Sequence, residues 1–315
     1  MAWVTWQQHR AQLVVGLGLL VALALAAFGT HLTISEAYQR DGLPDCLPPS
    51  TRPGCDLIVA HFQGEFGSWA SAVRGLAVLP ALAGLFVGAP LLARELEHGT
   101  YRFAWTQAIT RRRWLISKTA LLASATVVAA GLVSALVMWW REPFDTLQGR
   151  MAPSAFDVEG LVVPAYAVFA LTVGVLAGLL LRRTVAAMTA TLIVFATTRL
   201  IVLTFLRPTF MAPRHRTVLA TETGLRVGDW VLSNTLVDAG GRQISAARED
   251  LAILHAQQAN IDPHTYLVML GWKRIISYQP AGRFWTFQIF EAGLFVALST
   301  AVMVLTVWLV RRTPT

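Results

Sequence analysis

Apolar residues gather in six long blocks, and the segments between the blocks are polar. The blocks span residues 11–32, 69–92, 115–140, 161–181, 184–206 and 287–310. Crossing the hydrocarbon core of a bilayer takes about 20 apolar residues in a helix, and every block reaches that length. The pattern predicts an all-α integral membrane protein with six transmembrane helices. The fourth and fifth form a tight hairpin, since only Arg182 and Arg183 separate them.

Composition favours a membrane protein over a soluble one. Hydrophobic residues make up 55% of the chain and charged residues only 14%, whereas about a quarter of a soluble domain is charged. The net charge of +8 could indicate nucleic-acid binding, but the basic residues lie beside the apolar blocks. A cleaved signal peptide is the alternative for the first block. That block is longer than a signal's apolar region, and no clear small-x-small cleavage site precedes the polar loop.

The basic residues predict that both termini are cytoplasmic. In this orientation the short inner segments hold eleven basic residues and only two acidic ones, Glu95 and Glu97. The outer loop 33–68 has two basic and five acidic residues, and the outer loop 141–160 has two and four. Basic residues concentrate on the cytoplasmic side of membrane proteins. Loop 207–285 is too long to contribute to this argument.

The first ten residues differ from the span that follows them. Trp3 and Trp6 are three residues apart and share one helical face, so residues 1–10 predict a short helix in the cytoplasmic interface. A frayed terminus is the alternative. Residues 11–206 then hold spans one to five, including the cytoplasmic loop 94–113.

The second half of the chain contains an unusually long polar segment. We predict that residues 207–285 form an external cap, with a polar helix at 245–260 and short helices within 266–285 that enter the outer membrane interface. Loops of this length are rarely simple connections. Residues 286–315 hold the sixth span and a cytoplasmic tail.

The outer loop 33–68 contains the two cysteines of the chain, Cys46 and Cys55. Three prolines and a glycine between them allow a compact turn, and an external compartment favours oxidation. We therefore predict a structural disulfide. A metal site is disfavoured because two thiolates with the single neighbouring His61 are too few ligands.

The cytoplasmic loop 94–113 combines acidic, aromatic and basic residues. The chain around it reads ARELEHGTYRFAWTQAITRRRWLISK. We expect the second span to continue as a helix that ends at Gly99 in a left-handed cap. A second short helix, 100–108, would then place aromatic residues such as Trp105 on one side. Exposed aromatic side chains beside charges are typical of a protein interface.

This loop resembles that of the permease subunits of type-2 ABC exporters, above all the compact actinobacterial ones. The segment SYQPAGRFWTFQIFE, residues 277–291, is similar to the part those permeases place before their last span. The resemblance covers nearly the whole chain and is weakest over 208–260. It implies a coupling helix that docks onto an ATPase subunit; the alternative is that the loop charges are merely solvated. The predicted ATPase-coupling residues are Glu95, Glu97, Gly99, Thr100, Arg102 and Trp105.

The same resemblance implies an assembly of two permease copies and two ATPase subunits. The sequence has no G-x-x-x-x-G-K-[ST] motif to bind ATP phosphates, so ATP and Mg are expected on the partner ATPase. No metal site is predicted, because His215, His255 and His264 lack zinc-site spacing. No catalytic set stands out either. The chain is therefore predicted to be a transport subunit and not an enzyme.

Three ionisable residues lie within the predicted spans, near their outer ends: Arg74, Arg199 and Glu291. An unpaired charge in hydrocarbon costs about 2.5–3.5 kcal/mol, so we expect Glu291 to pair with Arg199 or Arg74. Such a pair would be an outer gate or a substrate contact. A structural pair, or simple snorkelling, is the alternative.

Prolines and small residues also occur within the spans. Pro80, Pro90 and Pro164 can each kink a helix, and they serve either as hinges or as packing adjustments. The small-residue stretches at 75–84 and 177–181 permit close helix approach and are candidates for the subunit interface.

Three functions fit these observations to different degrees. The favoured one is export of an amphipathic small molecule or lipid across the plasma membrane of a bacterium by a homodimeric permease. Apolar spans favour such a cargo over a free ion or sugar. An integral-membrane enzyme and a membrane anchor or sensor are the alternatives. The sequence does not predict the substrate itself.

Overall fold

The structure is a computed structural model that describes residues 2–47, 52–97, 111–220 and 225–312. Within these residues, six helices are long and apolar enough to cross a membrane, which confirms the six predicted spans. They are α1 (Ala2–Arg40), α2 (Cys55–Glu97), α3 (Arg111–Gln148), α4 (Val162–Leu181), α5 (Thr184–Thr209) and α8 (Phe284–Arg312).

Helix α4 lies at the centre of the bundle. In its most apolar stretch 78% of the residues are buried within the protein, whereas no residue is buried in the most apolar stretch of α1. Helices α2, α3, α5 and α8 all pack against α4, and its aromatic residues Tyr166 and Phe169 meet Phe295 of α8 edge to face. A helix that is apolar on every side is expected in such a central position.

Glycines bring α2 and α4 into very close contact. A Cβ atom added at Gly84 would lie 2.5 Å from the backbone oxygen of Ala170, and one at Gly178 would lie 2.6 Å from that of Ala89. Small residues permit this approach of two backbones. Gly84 and Gly178 therefore contribute to packing inside one chain, and a subunit interface formed by the stretches 75–84 and 177–181 stays a prediction.

Helices α2 and α5 each contain irregular turns. In α2 a 3-10 segment spans Arg74–Val78 and a π-turn spans Gly84–Gly88. Pro90 lies two residues after that π-turn. Since proline lacks an N–H and clashes with the carbonyl four residues before it, a widened turn at this place relieves the conflict. In α5 a π-turn at Val202–Leu206 leads into a 3-10 segment, Arg207–Thr209.

Residues 2–10 are helical, as predicted, but they do not form a separate interfacial helix. They are the first turns of α1, which continues to Arg40 as one 39-residue helix. No proline interrupts this stretch, so the chain has no reason to break between residue 10 and the apolar block.

The segment 33–68, predicted as an outer loop, is largely helical. Helix α1 ends at Arg40 and α2 begins at Cys55, so both helices extend beyond their apolar blocks. The disulfide Cys46–Cys55 closes the connection, with Cα atoms 5.3 Å apart, which confirms the predicted pairing. Ile34, Phe62 and Phe144 are fully buried where α1, α2 and α3 meet at this end.

Residues 207–285 contain a sheet that the sequence analysis did not predict. Three antiparallel strands pack in the order β1-β3-β2. The strands are β1 (Arg214–Leu219), β2 (Trp230–Val237) and β3 (Lys273–Gln279). Helices α6 (Ala246–Gln258) and α7 (Pro263–Met269) lie between β2 and β3 in the chain. The polar helix expected at 245–260 is confirmed, but a strand occupies much of the segment where we expected short helices.

The sheet defines one end of the molecule. We call the end at which α4 begins, beside the sheet, the sheet end. The opposite end, at which α2 ends at Glu97 and α3 begins at Arg111, is the loop end. Gln279 of β3 donates to the backbone oxygens of Pro208, in α5, and of Met211. These bonds join the sheet to the end of α5.

Candidate functional site

The loop end carries the residues predicted to couple to an ATPase. Glu95 and Glu97 lie in the last turn of α2. The other predicted residues, Gly99, Thr100, Arg102 and Trp105, lie outside the described residues.

Glu95 binds α3. Its Oε1 atom lies 2.7 Å from Nζ of Lys118, and both side chains are largely shielded from solvent. The ammonium group also lies 4.9 Å from the centre of the Trp114 ring, where a cation is attracted to the aromatic face. The carboxylate therefore joins α2 to the first turns of α3.

Glu97 binds the start of α5. Its Oε2 atom accepts hydrogen bonds from the backbone N–H of Thr184, at 3.0 Å, and from the Thr184 hydroxyl, at 2.8 Å. The first N–H groups of a helix have no partner within the helix, and a carboxylate there also interacts favourably with the helix dipole. Glu97 thus acts as an N-terminal cap supplied by another helix.

The sheet end carries a buried network of charges around Arg207. The guanidinium lies 2.7 Å from one carboxylate oxygen of Glu291 and 2.8 Å from the other, and 2.6 Å from Asp157. Arg207 and Glu291 are each only 1% exposed. The Tyr166 hydroxyl donates to Glu291, and Arg199 lies 2.9 Å from Asp157. Two arginines thus balance two carboxylates where α4, α5 and α8 meet.

The partner of Glu291 differs from our prediction. Glu291 pairs with Arg207, and Arg199 joins the network only through Asp157. Among the described residues Arg74 forms no ion pair with Glu291 and lies exposed at the start of the 3-10 segment of α2. The prediction failed because we ended the fifth span at residue 206 and placed Arg207 in the outer loop, whereas α5 continues to Thr209.

A π-turn explains how two arginines of α5 reach one carboxylate. Arg199 and Arg207 are eight residues apart, which in a regular α-helix leaves them about 80° apart around the axis. The π-turn Val202–Leu206 accommodates one extra residue, which reduces the difference to about 20°. Both guanidinium groups then face Asp157.

A second buried network lies beside the first. Glu159 is fully buried and pairs with Arg141 at 2.8 Å and with Arg150 at 2.7 Å. Arg150 also stacks on Phe284 at 4.2 Å. From the sequence we predicted these charges only as part of the outer loop 141–160. Alternation of acidic and basic residues is common on solvated surfaces, so no local signal distinguished them.

The linker between α3 and α4 belongs to both networks. Asp157 and Glu159 are two residues apart on it. The buried amide of Gln288 fixes the same segment, accepting from the N–H of Val162 at 3.0 Å and donating to the oxygen of Phe156 at 3.2 Å. Helix α8 therefore holds the start of α4 through its side chains.

Comparison with known proteins places the chain in one family. No curated protein and no solved structure matches it. The family model described as ABC-2 membrane transporter related matches residues 17–207, which is more than half of the chain. That match covers most of α1, all of α2 to α4, the disulfide, and α5 as far as Arg207. The chain belongs to the ABC-2 membrane transporter-related family and is a multi-pass membrane permease.

Proposed function

We propose that this chain is the transmembrane subunit of an ATP-driven exporter in the cytoplasmic membrane of a bacterium. The observation that carries the proposal is the family match across residues 17–207. Permeases of this family generally work with a separate ABC ATPase. The sequence has no P-loop of its own, so ATP and Mg would bind on that partner.

The loop end is the proposed docking place for the ATPase. Residues 98–110 connect α2 and α3, and Glu95 and Glu97 fasten the last turn before them to α3 and α5. Because these helix ends are anchored, a movement of a soluble partner bound here can be transmitted into the bundle. The abundance of arginine at this end favours a cytoplasmic location, where the ATPase would be.

The sheet end is the proposed outer gate. Its charges connect α4, α5 and α8, and the disulfide and sheet cover the same end. Separating these helices would require breaking buried ion pairs, which is costly. An outward opening driven by ATP hydrolysis is therefore expected to start from a firmly closed outer end.

The proposed cargo is an amphipathic small molecule or a lipid, carried by two permease copies with two ATPases. Among the described residues, apolar side chains dominate the exposed surface of the spans, for example Val14, Leu25 and Phe205. Such surfaces suit lipid and apolar cargo better than a free ion or sugar. A second copy would supply the other half of the pathway.

Reconstitution tests this proposal. The chain would be co-purified with candidate ABC ATPases and placed in liposomes, and ATP hydrolysis would be measured with and without amphipathic compounds. We expect one ATPase to bind stably and its hydrolysis to be stimulated by the transported compound. A membrane anchor or sensor would bind a partner without moving any compound. Failure of every ATPase to bind would contradict the proposal.

A further inference from the structure

The last turn of α2 is anchored to two different helices at once. Glu95 and Glu97 are two residues apart and therefore point about 200° apart around the helix. This spacing lets Glu95 reach Lys118 on α3 while Glu97 reaches Thr184 on α5. The end of α2 is thus positioned from two sides immediately before residues 98–110.

The contact at α5 replaces a cap that the local sequence does not supply. Arg183 occupies the N-cap position in an extended conformation and makes no capping hydrogen bond with its side chain. Thr184 is the first residue of the helix and presents both its N–H and its hydroxyl to Glu97. Because the cap comes from α2, the beginning of α5 is fastened to α2.

The contact also reaches the central helix. Arg182 adopts a left-handed conformation, with φ of 53°, and Arg183 is extended, so only two residues join α4 to α5. A displacement of Thr184 must therefore move the end of α4 as well. Helix α4 is packed tightly against α2 through Gly174 and Gly178, which makes these segments one connected unit.

We propose that Glu97 and Thr184 are positioning residues that link the end of α2 to α4 and α5. A displacement of the end of α2 reaches these helices through the interhelical cap, in addition to the packing of α2 against α4. This inference rests on the proposed function for its consequence, the coupling of ATP hydrolysis to transport. The link requires both Glu97 and Thr184. Direct docking of Glu97 onto an ATPase would require only Glu97.

Hydrogen exchange on the purified chain tests the link without any ATPase. In Glu97→Ala the amides of residues 184–187 are expected to exchange about fivefold faster. Adding Thr184→Val to that variant is expected to change little more, because Glu97→Ala has already removed the hydrogen bond of the Thr184 hydroxyl. The control is Thr189→Val, since the Thr189 hydroxyl bonds only within α5, to Val185. Unchanged exchange in Glu97→Ala would overturn the proposal.

Coupling is then measured as compound transported per ATP hydrolysed in the reconstituted assembly. We expect this ratio to fall severalfold in Thr184→Val and to be preserved in Thr184→Ser, which keeps the hydroxyl. A wild-type ratio in Thr184→Val would overturn the positioning role. If the unmodified assembly transports nothing, the proposed function fails, while the exchange experiment still decides whether the link exists.

Discussion

The two ends of the helix bundle use charge in opposite ways. At the sheet end Arg207 and Glu291 are almost completely buried and connect three helices. At the loop end the Glu95–Lys118 pair is largely shielded from solvent, but the hydrogen bonds of Glu97 lie near the surface. Buried pairs are costly to break, since a lone charge would remain out of water, whereas exposed ones contribute little and respond to salt. The difference indicates a firmly closed sheet end, whereas the Glu97 contact at the loop end can break at low cost.

The largest effect is expected from Glu291→Gln. This change leaves Arg207 buried with only Asp157 to balance it, and the loss of stability should be about 3–5 kcal/mol. Chemical unfolding in detergent micelles would measure it. Adding Arg207→Gln should recover part of the loss, and Asp250→Asn on exposed α6 is the control. A loss no greater than in the control would show that the sheet end is not held by its charges.

The disulfide gives the second-largest effect at the same end. Cys46 and Cys55 close a short loop, with a sequence separation of nine, and replacing both by serine should cost roughly 2–3 kcal/mol through the freer unfolded chain. A reducing agent should lower the unfolding temperature of the unmodified chain and leave the double variant unchanged. Equal sensitivity of the two proteins to the agent would contradict this expectation.

Helices α2 and α4 run between the two ends of the bundle. A change at their contact tests whether the two ends are coupled. A Cβ atom at Gly174 would lie 2.5 Å from the oxygen of Gly84, so Gly174→Ala should cost about 1–3 kcal/mol by overpacking. The matched control is Gly293→Ala on α8, where no atom lies within 4 Å. If Gly174→Ala and Gly293→Ala have the same free energy of unfolding, helices α2 and α4 separate easily.

The smallest effect is expected at the loop end. Glu97→Ala should cost no more than about 1 kcal/mol, the typical contribution of a cap. Raising the salt concentration should shrink this difference, while the effect of Glu291→Gln should persist. Unfolding measured at low and high salt would check both. A salt-independent loss at Glu97 as large as that at Glu291 would remove the contrast between the two ends.

The spans were predictable because their signal is long and local. Each apolar block exceeds the membrane thickness, and the short segments beside the blocks agree on orientation. The Cys46–Cys55 pairing followed from the short turn between the residues. Strand β3, with the sequence KRIISYQ, lacks a clean alternation of apolar and polar residues, since Ile275 and Ile276 are adjacent. Seven residues beside a membrane span are a weak signal, and the partner strands are distant in sequence.

The buried networks were not predictable from local patterns. The partnership of Arg207 with Glu291 depends on where α5 ends and on a π-turn, and neither is visible in the sequence around residue 207. Asp157 and Glu159 lie in a linker that resembles a solvated loop. Their burial comes from helices far away in the chain, such as α8 with Gln288. Glu95 and Glu97 were identified as important, but their partners Lys118 and Thr184 were not.

The most direct test of the account is the side of the membrane on which residue 102 lies. Arg102→Cys would be labelled with a membrane-impermeant maleimide, since Cys46 and Cys55 are bonded to each other. We expect labelling in inverted vesicles and not in intact cells, with protection when the partner ATPase is added. Labelling from outside intact cells would contradict both the orientation and the docking of an ATPase at this end.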